Sequence, residues 1–379
     1  NDSVTTGGAI NNYFGNTLSA GDFNADGKVD LAVGAYGYST NTGRVYIFYG
    51  GSAQDTTPSS ADVTITGETT SNYFGGFVTV GDLNADGKVD LVVGASGYSS
   101  STGRAYIFYN DGSIPTTAAT ADVIITGTSG SSFGIRVLSG DLNSDGEYDL
   151  IVGSSLDVYI FYNDGSYPAT LASADITITL ASNFLLAMAV GDLNTDGRQD
   201  FLLSSYLYYY DAFFGVVATT TLTAFYNDGS LPTTTATADW ISEEVYELNY
   251  IHMDSIQIGD LNADGREDII AGDASGGNTV FGSSDKVYVL YNDGSYPTTF
   301  GAADKIYTGE VGSYFGRGLI VDDFNSDGKK DLVVGAPGYS TSTGRVYTFI
   351  TEIVTTQTET KAAEFKGGSG VIKGSFELK

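Results

Sequence analysis

The sequence predicts an all-β chain folded as a six-bladed β-propeller, a ring of six four-stranded sheets. Three observations predict it. A nine-residue segment, D-x-N-x-D-G-x-x-D, occurs six times, starting at Asp22, Asp82, Asp141, Asp192, Asp260 and Asp323. The starts lie 60, 59, 51, 68 and 63 residues apart, and self-similarity at such a period marks an array of repeated units. Each unit also carries four strand signals, and four short antiparallel strands make one propeller blade.

The first unit shows the four strands in order. NTLSAGD leads into the nine-residue loop, and DLAVGA follows it. After the polar loop YGYSTNT comes GRVYIFYG, in which Val45, Ile47 and Tyr49 alternate with Tyr46 and Phe48, the period of a strand. ADVTITG, Ala61 to Gly67, is the fourth. Between the third and fourth strands, later units carry YNDGS at Tyr109, Tyr162, Tyr226 and Tyr291, which is hairpin-turn chemistry. Fourth strands recur at residues 61, 121, 174, 238 and 303, one fewer than the loops. The missing one is expected at the start of the chain, in NDSVTTG, Asn1 to Gly7. It would be the outer strand of the last blade, sealing the ring and removing a free edge. Residues 1–350 then form one propeller domain, and 351–379 a separate tail.

The loop itself points to a metal. Its positions 1, 3, 5 and 9 carry side-chain oxygens, and position 7 offers a backbone carbonyl. Hard oxygen donors at this spacing suit Ca²⁺, which takes six to eight of them. About six Ca²⁺ are expected. The ligand sets are Asp22, Asn24, Asp26, Lys28 and Asp30; Asp82, Asn84, Asp86, Lys88 and Asp90; and Asp141, Asn143, Asp145, Glu147 and Asp149. The other three are Asp192, Asn194, Asp196, Arg198 and Asp200; Asp260, Asn262, Asp264, Arg266 and Asp268; and Asp323, Asn325, Asp327, Lys329 and Asp331. Position 7 varies freely, as expected if only its carbonyl is used, and the glycine at position 6 permits a left-handed turn. An EF-hand is excluded, since that needs a Glu at position 12 and flanking helices. The competing explanation is an Asx-rich turn that holds no ion.

Composition narrows the function. The chain has 46 acidic and 17 basic residues, a net charge of −29. That argues against nucleic-acid binding, which wants a basic face. It also predicts that calcium stabilises the fold, because three carboxylates crowd each loop and repel. With no cysteine there is no disulfide and no thiolate chemistry. No apolar run reaches the roughly 18 residues of a membrane span.

Candidate binding residues lie on the face opposite the calcium loops. That face is expected to be rich in tyrosine: Tyr13, Tyr36, Tyr38, Tyr73, Tyr98, Tyr314 and Tyr339. The fourth unit adds LYYYDAFF, with Tyr208, Tyr209, Tyr210, Phe213 and Phe214. Exposed aromatics stack on sugars or protein surfaces. Against this, tyrosine also packs as an ordinary strand-flank residue. His252 is the only histidine and reads as structural. Glu243 and Glu244 are adjacent in a strand, so they point to opposite faces and make a poor acid/base pair. No HExxH, GxSxG or phosphate loop is present, and no enzyme is expected.

The repeats resemble FG-GAP repeats, the units of the integrin α-subunit β-propeller, over about 350 residues. FG stands at Phe14-Gly15, Phe74-Gly75, Phe133-Gly134 and Phe315-Gly316. GAP is complete at Gly335-Ala336-Pro337 and weaker at Gly34-Ala35, Gly94-Ala95 and Gly153-Ser154. The resemblance implies structural calcium loops, a partner-binding opposite face and an extracellular adhesion setting. Two departures stand out. The integrin propeller has seven blades, and the fourth and fifth units here have lost FG. The FG phenylalanines are expected to be core.

The expected function is therefore a non-catalytic, calcium-stabilised extracellular or cell-surface binding and adhesion module, with a protein or glycan ligand. The alternative is a structural subunit of an extracellular filament or surface layer, joined to sister subunits through the tail. The tail has three readings: a linker, a hairpin capping the propeller, or a strand added to a neighbour's sheet.

Overall fold

Alternating β-branched and aromatic residues build the strands, and Asx-Gly turns end them. The computed structural model describes residues 12–14, 16–28, 30–50, 58–180, 184–211, 215–247, 253–274, 285–322, 328–336, 345–349 and 363–366. The first sheet contains β1 (Leu18–Gly21), β2 (Asp30–Ala35), β3 (Arg44–Phe48) and β4 (Val63–Thr66). The second contains β5 (Phe77–Gly81), β6 (Asp90–Ala95), β7 (Arg104–Phe108) and β8 (Val123–Thr126). The third contains β9 (Arg136–Gly140), β10 (Asp149–Gly153), β11 (Asp157–Phe161) and β12 (Ile176–Thr179). The fourth contains β13 (Phe184–Gly191), β14 (Asp200–Asp211), β15 (Gly215–Phe225) and β16 (Trp240–Glu247). The fifth contains β17 (Met253–Gly259), β18 (Asp268–Asp273), β19 (Lys286–Leu290) and β20 (Lys305–Thr308). The sixth contains β21 (Gly318–Asp322), β22 (Asp331–Ala336), β23 (Arg345–Phe349) and β24 (Ala363–Lys366). Each sheet is antiparallel and runs in sequence order.

The core lies between sheets. Val45, Ile47 and Ile65 of the first pack on Phe74, Leu91 and Val93 of the second unit. Equivalent clusters join the second to the third, third to fourth, fourth to fifth and fifth to sixth. Each fully buried side chain of this kind contributes roughly 1.5–3 kcal/mol, so the blades stabilise one another rather than standing alone.

The FG residues do what core residues do. Phe74, Phe133 and Phe315 are buried. Phe74 stands edge-on to Tyr106 and Phe108, with ring centroids 5.4 and 6.3 Å away. The glycines are where backbones touch: a Cβ on Gly34 would overlap the carbonyl oxygen of Gly75, and one on Gly94 that of Gly134. The units without FG replace it. Leu185 fills the space beside Gly153, and buried Met253 starts β17. Both strands carry a register shift there, at Leu185/Ala187 and at Met253/Ser255.

Three elements differ from expectation. The outer strand of the sixth sheet is β24, from the tail, pairing Val346 with Phe365. The expected closing strand, Asn1 to Gly7, lies outside the described residues, and the edge assigned to it is taken. A strand only 13 residues downstream of β23 closes a shorter loop than one from the opposite chain end.

LYYYDAFF is not a loop. Tyr208, Tyr209 and Tyr210 continue β14, opposite Ala218, Val217 and Val216 of β15, while Phe213 and Phe214 lie outside the described residues. β14 runs five residues past its last partner in β13, Tyr206, about 17 Å at the rise of an antiparallel strand.

The loops after β2 and β6 form left-handed turns. Ser39, Thr40 and Asn41 have φ of 48, 59 and 59°, and Ser99, Ser100 and Ser101 have 47, 57 and 64°. Such residues cost roughly 1–2 kcal/mol each. The cost is offset by the next unit: Ser71 N–H donates to Thr40 O at 3.1 Å and Tyr73 N–H to Asn41 O at 2.9 Å. Arg44 and Arg104 stack on Tyr38 and Tyr98 at 3.7 and 3.6 Å, giving these two tyrosines a structural role.

Candidate metal centre

Each nine-residue loop joins the first and second strands of its sheet. The short side chains of Asp and Asn reach their own backbone, so the loop folds around its acceptors. In the second copy, Asp82 accepts from Asp86 N–H at 3.1 Å and from Gly87 N–H at 2.8 Å. Asn84 Oδ1 accepts from Asp86 N–H at 3.1 Å, and Asp86 Oδ1 from Lys88 N–H at 2.9 Å. The same four bonds recur in the loops at Asp22, Asp141, Asp192 and Asp260. Position 4 is left-handed in all five (Ala25, Ala85, Ser144, Thr195 and Ala263, φ 56 to 62°), as is the glycine at position 6. In the sixth copy Asp323, Asn325 and Asp327 lie outside the described residues; Lys329 and Asp331 are described.

Position 9 differs from the others in being buried: Asp30, Asp90, Asp149, Asp200, Asp268 and Asp331 are 0–1 % exposed. Its Oδ2 accepts from the N–H of position 2, at 2.7 to 2.9 Å in five copies. Burial pushes Asp90, Asp149, Asp200 and Asp268 up from 3.8 to about 6, against the pull of these N–H groups. A cation beside such a carboxylate favours its charged form. At position 7, Lys28 and Lys88 fold back onto Asp26 and Asp86 at 3.1 and 3.2 Å. Arg198 and Arg266 reach instead to the carbonyls of Asn227 and Asn292, at 3.4 and 3.2 Å.

Among the described residues, no group of three His, Cys, Asp or Glu side chains forms a metal cage by itself. The loops offer a mixed set instead: three Asp, one Asn and one carbonyl, every donor an oxygen. An acceptor oxygen carries two lone pairs, so the oxygens of positions 1, 3 and 5 keep capacity for an ion; at position 9, Asp30, Asp149 and Asp200 take a second N–H on Oδ2, from position 3 at 3.1 to 3.2 Å, and keep theirs on Oδ1. The donor set fits Ca²⁺ and no softer metal.

Two sets of functional residues were not visible in sequence. The asparagines of the NDGS turns bridge between blades. Asn110, Asn163 and Asn292 donate through Nδ2 to the carbonyls of Phe23, Leu83 and Leu193 in the preceding unit's loop, at 2.6, 3.0 and 2.8 Å. Asn227 donates likewise to Leu142 O. The backbone N–H of each also donates to Oδ1 of position 9 in its own loop, at 2.7 to 2.9 Å. Position 8 makes a second bridge: Gln199 accepts from Asp141 N–H at 2.9 Å, and Glu267 from Asp192 N–H at 2.7 Å. The available signal was the first unit, which has Gly50 where the second to fifth have Asn; a turn alone needs no asparagine there.

These bridges place the loops and the NDGS turns on one face. On the other, Tyr13 stacks on Tyr36 at 4.7 Å, and Tyr73 lies 6.0 Å from Tyr36. Tyr13, Tyr73 and Tyr314 are 52, 37 and 41 % exposed. All three have left-handed backbones, with φ of 53, 55 and 54°, uncommon for a bulky residue.

Repeated four-stranded sheets packed around an axis, with the five described Asp loops at the same rim, define a β-propeller. Residues 14–48, 74–108 and 315–349 match the FG-GAP repeat, and 141–203 the FG-GAP-like repeat. Over 190 residues the chain is 31% identical to integrin alpha-5 of Xenopus laevis, covering 46% of this chain and 18% of that protein. It is 31% identical over 172 residues to phosphatidylinositol-glycan-specific phospholipase D of Bos taurus, covering 40% and 20%. With integrin alpha-X of Mus musculus it shares 44% over 88 residues, 22% of this chain and 8% of that one. The chain belongs to the FG-GAP repeat proteins, with distant homology to integrin alpha subunits and to that phospholipase D. The matches span about a fifth or less of these relatives.

Proposed function

We propose that this chain is a six-bladed, calcium-stabilised extracellular binding or adhesion module without catalytic activity. The carrying observation is five copies of one acceptor-lined loop on one face, opposite exposed, strained tyrosines. In each copy the side chains at positions 1, 3, 5 and 9 and the carbonyl at position 7 hold one Ca²⁺. Extracellular calcium near millimolar fills even weak sites of this class. The ions rigidify the loop face and leave the tyrosine face for a protein or glycan ligand. The hairpin of β14 and β15, with Tyr208, Tyr209 and Tyr210, extends that face. The integrin relatives support the adhesion setting, and the phospholipase D relative makes a test for turnover worthwhile. Light scattering in roughly millimolar calcium tests the reading: a monomer near 39.7 kDa that unfolds more readily in chelator is the expected result.

One observation favours a second reading. β24 comes from the tail and pairs with β23 at the edge of the sheet. Donated to a neighbour instead, it would link subunits head to tail into a filament. Large assemblies that vanish on truncation after Phe349 would support this alternative over the monomer.

A further inference from the structure

The face opposite the calcium loops holds a cavity of about 310 Å³ where the sheets converge. That is within the range of small-ligand sites. Its walls come from the first, second, third and sixth units and include Asn16, Tyr36, Tyr73, Ser96, Arg136 and Arg317. The repeat explains the placement. Residues just after FG turn inward to start the first strand of a blade, so Asn16, Phe77, Arg136 and Arg317 meet near the axis.

The charge of this lining is opposite to that of the chain. The chain has 46 acidic and 17 basic residues, yet among the described residues two arginines and no acid line the cavity. Arg136 is held in position: its guanidinium stacks on Phe77 at 4.0 Å, Nη1 donates to Ile135 O at 2.9 Å and Nε donates to Leu186 O. Arg317 is exposed and close enough to act electrostatically on Tyr36. Guanidinium groups match the planar geometry of carboxylates.

Beside the arginines the walls are aromatic. The Tyr13 and Tyr36 rings are stacked, parallel to within 5°, which leaves one face of each open, and Tyr13 and Tyr73 carry the aromatic surface outward from the cavity. Flat, rigid rings offer contact at low entropic cost and suit the C–H faces of a pyranose. Asn16 and Ser96 supply polar partners for hydroxyls.

We propose that this axial cavity binds a carboxylate-bearing sugar, a uronic-acid unit within an acidic polysaccharide. Arg136 and Arg317 take the carboxylate, Tyr36 and Tyr73 the ring faces, and Tyr13 an adjoining unit. The inference rests on the reading of the propeller as a binding module and names the ligand class of its tyrosine face.

The test uses the full chain in calcium, with trigalacturonate as probe in calorimetric titration. The controls are its methyl ester and neutral galactotriose. Binding of the free acid is expected, weakened at least tenfold by esterification and by Arg317→Ala, and partly kept in Arg317→Lys. Arg317 is exposed, and the melting curve of the Arg317→Ala chain separates loss of binding from loss of fold. Tyr13→Ala weakens the trisaccharide while leaving monomeric galacturonate unaffected. Absence of trigalacturonate binding overturns the proposal, as does equal binding of the ester, equal binding by Arg317→Ala, or stronger binding of hexaglutamate. Replacing the tip of the β14–β15 hairpin with a short glycine turn separates the two readings. If other ligands are captured through that hairpin while trigalacturonate is not bound, the module stands and the cavity assignment falls.

Discussion

The side-chain amide of Asn110 donates to the Phe23 carbonyl at 2.6 Å, while its backbone N–H donates to Asp90 Oδ1 at 2.7 Å. One residue thus joins the loop of the first blade to that of the second. Asp90 continues the link through Oδ2 to Leu83 N–H at 2.8 Å, and Leu83 O receives Asn163 at 3.0 Å. The relay runs on through Asn227 and Asn292. Asn110→Ala leaves a buried carbonyl without its donor, which costs about 1–3 kcal/mol. Urea denaturation should show a lower midpoint with unchanged m-value. An unchanged midpoint would mean that the bridge contributes nothing.

Calcium should bind with a countable stoichiometry. Native mass spectrometry of the full chain is expected to show about six ions, following the six loop motifs. Asp86→Ala removes a position-5 ligand that is exposed and outside the relay, so it should lower the count by one with the fold intact. Each filled site stabilises by about 2.7 kcal/mol when free calcium is a hundred times its dissociation constant. Chelation should therefore lower the melting temperature markedly. A melting curve indifferent to chelator would favour turns that bind no ion.

The chelated protein should also have a definite pH response. In the metal-free fold, Asp90, Asp149, Asp200 and Asp268 have carboxyls raised from 3.8 to about 6. The folded state then binds more protons than the unfolded one. Their contribution is fully present below the unfolded value near 3.8 and is lost as pH rises through about 6. Melting in chelator should thus be higher at pH 5 than at pH 7. Calcium competes with these protons, so saturating calcium should flatten or reverse the trend. A chelated protein more stable at pH 7 would contradict the sign.

The left-handed turn at Ser39–Asn41 gives a prediction of the opposite kind, a gain. Thr40 is β-branched with φ 59° and ψ 47°, so Thr40→Gly relieves roughly 1–2 kcal/mol of backbone strain. Part of that is offset by the greater freedom of glycine in the unfolded chain. Stabilisation of about 0.5–1 kcal/mol should remain, read from the denaturation midpoint. Destabilisation would show that the threonine side chain makes a contact worth more than the strain.

The periodic features were legible in the sequence. Strand limits such as Asp90–Ala95 follow from DLVVGA ending at the loop before it, and FG was readable as core because phenylalanine beside glycine suits a close backbone approach. What was hidden depends on partners distant in the chain. Asn110 looks like turn chemistry until Phe23, 87 residues away, is seen beneath it. Tyr208–Tyr210 read as residues of the tyrosine-rich face, and their place in a long strand shows only through their pairing with Ala218, Val217 and Val216. The left-handed turn at Ser39 is invisible because no glycine marks it.

The tail gives the last test. β24 adds four residue pairs to the edge of β23, Arg345 with Lys366 through Thr348 with Ala363. Truncation after Phe349 exposes that edge, and an unpaired edge is a template for another strand. A synthetic peptide of residues 350–379 should therefore bind the truncated chain and leave the full chain unlabelled, as followed by fluorescence anisotropy. If the full chain takes up the peptide equally well, the strand is not seated in its own sheet and the filament reading gains. If neither chain binds it, β24 contributes nothing to the edge, and the outer position of the sixth blade returns to Asn1–Gly7. Crosslinking a cysteine introduced at Val346 to one at Val4 or at Phe365 decides between those two partners.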